Sequence, residues 1–212
     1  MPSGSFFKSF ALGGYSFGNQ SLAGITFDHV NVYEVSLAVG KLVTAWAKTD
    51  ANTAACNLPA GHGYTSGKFD VYFAAGMRYG VDGTVTGDAL ALDGGTGTDF
   101  PATAAADVVC TKQVSINTPI DGDAVKQFGV FLRSSAAAAV GHVDFQDVGA
   151  ATIEELDLTE VDNAASGMQH AYGTTEAVAL LTGNPITTCK ATNGSATAAA
   201  TLYVLVGEDS TP

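Results

Sequence analysis

Five residues near the start of the chain, Gly14-Tyr15-Ser16-Phe17-Gly18, have the GxSxG spacing of a nucleophile elbow. That elbow presents a serine Oγ from a sharp strand-to-helix turn, where an aspartate and a histidine later in the chain activate it for acyl transfer. The residues after Gly18 (NQSLAG) open no helix, so the match reads as part of a glycine-rich aromatic arm. Gly67-Lys68 looks like the end of a phosphate loop, but His62 stands where the upstream glycine belongs. Phe69 also stands where a Ser or Thr must hold magnesium, so the motif fails. Gly94-Gly95-Thr96-Gly97-Thr98-Asp99 opens like a calcium-binding β-roll nonapeptide. Such sites form between successive copies of the repeat, and here one copy stands alone with Pro101 at a position that needs a large apolar residue. Asp82, Asp88, Asp93 and Asp99 lie in acidic turns of the kind calcium uses, without a complete ligand pattern.

His29, His62, His142 and His170 show neither an i, i+4 pairing nor an adjacent carboxylate set, which predicts surface or turn histidines instead of bases or metal ligands. Glu154, Glu155, Asp157, Glu160 and Asp162 crowd one segment, and a pair of carboxylates is the machinery of glycoside hydrolysis. A glycan cleft also brings several aromatic platforms, and Trp46 is the only Trp. The cluster therefore predicts a solvated acidic face. Cys56, Cys110 and Cys189 are few, odd in number and free of CxxC spacing, so they read as partly buried, reduced thiols acting as small hydrophobes. Asn193-Gly194-Ser195 is formally a glycosylation sequon and reads as a turn. The residue types predict no catalytic residue, no cofactor and no metal.

Composition narrows the function classes further. Apolar residues make up 46% of the 212 and charged residues only 14%, against about a quarter in an ordinary globular domain. Gly, Ala, Thr and Ser replace the missing charge, which suits extended structure and surfaces that become buried in an assembly. The net charge is −12, and Arg78 and Arg133 are the only arginines. No basic cluster exists to neutralise phosphates, which argues against nucleic acid and anionic membranes as partners. The N-terminal MPSGSFFKSFALGG has one Lys and no apolar core of signal-peptide length, so synthesis in a host cytoplasm without cleaved export is expected.

These residues must be positioned by strands. Gly61 to Pro101 runs as short alternating segments (FDVYF, GTVTG, ALAL) between glycine- and aspartate-rich turns, the pattern of an antiparallel meander. Alternation also predicts strands over Ile25–Val35, with a bulge near Asp28–His29, and over Leu37–Lys48, Val108–Ile116 and Val125–Leu132. Asp50–Gly67 reads as a polar loop, Asn117–Asp123 as a turn, Ser134–Gly141 as one weak helical turn and Ala150–Val161 as a strand. Ile186–Gly207 reads as strand, Asn-Gly turn, strand, the strongest short hairpin signal. With no convincing helices between strands, the expected fold is all-β: an antiparallel β-sandwich or jelly-roll-like barrel. Residues 1–24 form an extended N-terminal arm and 25–212 one sandwich with a sub-boundary near 117–123. The aromatics of the arm, Phe6, Phe7, Phe10 and Phe17, are expected to be buried at a contact between subunits.

The stretch from Gly67 (GKFDVYFAAGMRYGVDGTVTGDALALDGGTGTDFPA) and the ending TNGSATAAATLYVLVGEDSTP resemble β-rich virion structural proteins of tailed bacteriophages and prophages. The resemblance implies a non-enzymatic subunit located in the virion, most simply a capsid decoration (cement) protein. It would work as a homo-oligomer, a trimer or ring, against other virion proteins such as the major capsid protein. It carries no site residues across. A tail-tube or ring subunit is the alternative, using the 50–67 loop to bridge neighbours. A carbohydrate-binding or adhesive sandwich is the third, with Trp46 and Tyr64 as its platform.

Overall fold

In GKFDVYF every second side chain is apolar, and the two phases face opposite ways: Phe69 and Val71 join an apolar core, while Asp70 and Tyr72 are buried on the other side. The same period of two recurs along the chain and makes its elements strands. A computed structural model describes residues 10–12, 15–17, 29–102, 108–120, 125–134, 140–159, 170–172 and 186–208. Among the described residues all regular structure is strand and every pairing is antiparallel, so the protein is all-β.

The first core belongs to a barrel. Strands β4 (Lys41–Leu42), β5 (Thr44–Lys48), β6 (Thr53–Asn57), β7 (Gly67–Phe73), β8 (Gly76–Thr86), β9 (Ala89–Asp93) and β11 (Val109–Lys112) lie in the order β4-β11-β7-β8-β9-β6-β5, with β10 (Thr96–Gly97) paired to β8. The two ends of this path are consecutive in sequence. Residues 41–48 pair with β11 through β4 and with β6 through β5, and Val43 N donates to Val108 O at 3.0 Å between them. One interrupted strand thus nearly closes the sheet on itself. The change of partner needs a register shift between Thr44 and Ala47, where Ala45 takes a φ of 52°. Phe69, Val71, Leu90, Leu92, Phe100 and Cys110 lead the interior.

The second core lies between two four-stranded sheets. One runs β12 (Val114–Ile120), β17 (Ile186–Asn193), β14 (Val140–Gln146), β15 (Thr152–Thr159). The other runs β16 (His170–Tyr172), β13 (Val125–Ser134), β18 (Ala200–Glu208), β3 (His29–Leu37). Val130, Leu132, Val143, Phe145, Leu202 and Val204 are among the side chains that fill the space between the sheets. The barrel is therefore inserted between β3 and β12 of a sandwich. A separate hairpin, β1 (Phe10–Leu12) with β2 (Tyr15–Phe17), sets Phe10 opposite Phe17.

Several local expectations change. The predicted single sandwich holds two cores, and the chain passes from barrel to sandwich at Gln113, ahead of the expected boundary. The strand expected over Leu37–Lys48 breaks at 38–40 because its two halves serve different modules, and Val108–Ile116 divides for the same reason. The polar loop 50–67 contains β6, a wall of the barrel between β5 and β9, and only 58–66 of it remains irregular. The turn expected at 117–123 is strand as far as Ile120. Asn193-Gly194 does not close a hairpin: β17 and β18 belong to opposite sheets, and 194–199 crosses between them. Where the pattern was read correctly, turn chemistry explains it. β8 and β9 pair up to Thr86 and Ala89, and Gly87 between them takes the φ of +60° that a two-residue turn requires. The strand expected in 150–161 is β15. Phe6, Phe7 and the proposed helical residues 135–139 lie outside the described residues.

Candidate functional site

Most of the buried polar side chains gather where barrel meets sandwich. On β14 and its neighbours the inner row is apolar, while the alternate residues point away from the sandwich core. Register sets Asp157, His142 and Thr192 side by side across β15, β14 and β17, with Glu155, Asp144 and Lys190 in the next row. On the barrel, Asp70 and Tyr72 point outward from β7. Both are nevertheless buried, because the outer face of the sandwich covers them.

Asp70 anchors the seam. Its Oδ1 accepts from Gly80 N and from Gln113 Nε2, both at 2.9 Å, and its Oδ2 accepts from Thr192 Oγ1 at 2.5 Å. Thr192 gives its one proton to Asp70, so the Tyr72 hydroxyl, 2.5 Å away, donates to Thr192. Burial holds the Asp70 carboxyl above its ordinary value, while the His142 charge and the three donors pull it back. Burial, and then the Asp70 charge, drive the Tyr72 phenol well above its usual range, which keeps it a donor. Nearby, Thr111 Oγ1 donates to Asn193 O at 2.7 Å, and the Asn193 amide donates to Ala198 O at 2.8 Å. Gly194 follows because a Cβ there would stand 2.6 Å from the Tyr72 ring.

His142 is the centre of the second half. Its Nδ1 lies 2.9 Å from Asp157 Oδ1 and its Nε2 lies 2.9 Å from Asp144 Oδ1, so both nitrogens donate and the ring is an imidazolium. Burial alone would lower its pKa. The Asp144 hydrogen bond and the charges of Asp70 and Asp144 outweigh burial and raise it to about 9. Tyr79 of β8 stacks on the ring at 4.2 Å and 11°. A hydrogen bond to Glu155, then burial, pushes the Tyr79 phenol up to about 12.

The sequence reading missed this constellation. His142 is not a surface histidine and does have a carboxylate set. Asp157 and Glu155 remain exposed, as expected of an acidic face, yet they are tied to His142 and Tyr79. The local signal is His142-x-Asp144 alternating with Val143 and Phe145, followed by Glu155-x-Asp157 alternating with Leu156 and Leu158. It becomes a site only once β14 and β15 are paired.

The other candidates stay apart. Ser16 lies on β2, and Gly14 and Gly18 lie outside the described residues. His62 accepts from Tyr64 N at Nδ1 and faces Gly87 O at 3.1 Å with Nε2, a turn histidine with a fixed tautomer. Asp82 pairs with Lys68 at 2.9 Å, Asp93 accepts from Thr53, and Asp88 and Asp99 lie beside His62 and Arg78. Arg78 donates to Gly94 O at 2.6 Å and Gly95 O at 2.8 Å, so the glycine-rich loop is held by a guanidinium. Trp46 donates to Pro101 O and packs edge-on against Phe100, and Tyr64 packs on Phe69; both lean on the barrel core. Cys56, Cys110 and Cys189 are buried free thiols. His29 and His170 lie on β3 and β16. A cleft of about 190 Å³ opens beside the seam, with Lys112 its only charged wall, and that amine is turned to Thr65 and Ser66.

Comparison with protein-family models, with curated proteins and with solved structures finds no match to this chain.

Proposed function

We propose that this chain is a non-enzymatic structural subunit of a phage-like virion, a decoration or cement protein that binds copies of itself and the major capsid protein on the particle's exterior. The observation that carries the reading is the seam. The buried polar groups of Asp70, Tyr72 and Thr192 bind one another across two β modules and so tie them into one two-part block. The low charge of the chain and its resemblance to virion proteins support the same reading, and the net charge of −12 favours a position away from packaged DNA. The tail-tube reading is less favoured, because β6 takes residues 53–57 of the loop it would use and leaves 58–66. The glycan reading is less favoured, because Trp46 and Tyr64 are half-buried against the barrel.

Electron microscopy of particles from the native source, with the chain located by labelling, tests the proposal. Label on polyhedral shells is the expected result, with the purified chain forming trimers or rings by light scattering. Label confined to tubes overturns the capsid placement. A monomer that never co-purifies with particles overturns the structural role itself.

A further inference from the structure

A ring nitrogen of His142, a carboxylate oxygen of Asp144 and one of Glu155 lie within 4.8 Å of one another, and Nε2 is the nitrogen that faces Asp144. Asp144 and Glu155 are directly paired across β14 and β15, a like-charge arrangement that the His142 imidazolium, shared with Asp157, offsets only in part. Asp157 and Asp70 add two more carboxylates around the same imidazole. Lys190 stands opposite Asp144 on β17 but makes no ion pair with it among the described residues. A second observation points the same way. The Asp144 side chain is only 9% exposed, and one of its oxygens faces His142. Among the described residues no donor reaches the other. A buried carboxylate oxygen without a donor is costly in a protein interior, and a cation satisfies it.

We propose that this cluster is a binding site for a divalent metal ion of the zinc class, held by His142 Nε2, Asp144 and Glu155. An imidazole nitrogen with two carboxylates suits zinc-like ions, whereas calcium takes oxygen ligands alone. Metal–ligand bonds of about 2.0–2.2 Å would place the three ligand atoms about 3.3 Å apart. Closing on the ion therefore takes a small swing of Glu155, which is exposed and would give up its hydrogen bond with Tyr79. The Nε2 proton leaves to solvent as the metal takes its place. Asp157 already holds Nδ1, and a carboxylate on the far nitrogen orients a metal-binding imidazole. Tyr79 covers the ring from the barrel side, so an ion here would fix β14 to β15 beneath the seam. It would stiffen the block proposed above but does not depend on that reading.

The test uses the full chain stripped with chelator. Calorimetric titration with ZnCl₂ is expected to give one ion per chain. Glu155→Gln is exposed enough to fold normally, checked by circular dichroism, and is expected to weaken binding at least tenfold. Asp157→Asn is expected to cost about 10–100-fold through the orienting hydrogen bond. Co²⁺ should give visible absorption that Glu155→Gln removes. No saturable binding, equal titration of wild type and Glu155→Gln, or tighter binding of CaCl₂ than ZnCl₂ would each overturn the proposal.

Discussion

Phe69 and Val71 face the barrel interior while Asp70 and Tyr72, their alternates on the same strand, face the sandwich, and none of the four is more than 4% exposed. One side of β7 is buried against apolar atoms and the other against hydroxyls, an amide and a carboxylate. The apolar side gains by leaving water and is indifferent to direction. The polar side gains only if every donor finds its acceptor, so it fixes how the two modules meet. The core supplies stability and the seam supplies a defined angle between modules.

The largest expected effect comes from the apolar side. Phe69→Ala should cost about 4 kcal/mol in chemical denaturation, through lost transfer energy and the cavity left behind. A loss below about 1 kcal/mol would mean the barrel interior is loosely packed. Asp70→Ala should cost about 3 kcal/mol, because Gly80 N, Gln113 Nε2 and the Thr192 hydroxyl lose their acceptor at once. Both cores stay intact in that variant, so calorimetry should resolve the single transition expected of the parent into two. A transition that remains single would show that the seam does not couple the modules. Gly194→Ala should cost about 2 kcal/mol by driving a methyl into the Tyr72 ring. In a double-mutant cycle with Tyr72→Ala most of that cost should vanish, and additive costs would rule out the clash. The smallest effect belongs to the surface. Lys68→Ala should change stability by less than about 0.5 kcal/mol, because the Lys68–Asp82 pair is half or more exposed at both ends.

What could be read from the sequence follows from the same contrast. Alternation and turn glycines give away the strands of the meander and the β8–β9 hairpin, because those are local. The barrel's closure is not local. It depends on residues 41–48 serving two distant partners, and no window of sequence contains β11 and β6 together. The Asn193-Gly194 pair misleads for a physical reason: the glycine admits the Tyr72 ring, and the signal is indistinguishable from a turn glycine. The seam was hidden because its residues look like surface. Asp70 and Tyr72 carry the polar phase of an alternating strand, and only a second module laid against that phase makes them interior.

The pairing of β3 with β18 places the first and last long strands of the described chain side by side, from His29 opposite Glu208 to Leu37 opposite Ala200. On a ribosome the barrel can close as soon as residue 112 has emerged, since all its walls lie between 41 and 112. The sandwich must wait until β18 has emerged, at residue 208. A barrel that forms first shortens the path from β3 to β12 and so lowers the loop-closure entropy of the later step. Until β18 arrives, the long edge it will cover stays open to neighbouring chains, and synthesis at high local density is when wrong pairings would arise. The order of emergence, as much as the final contacts, thus sets how cleanly this protein is made.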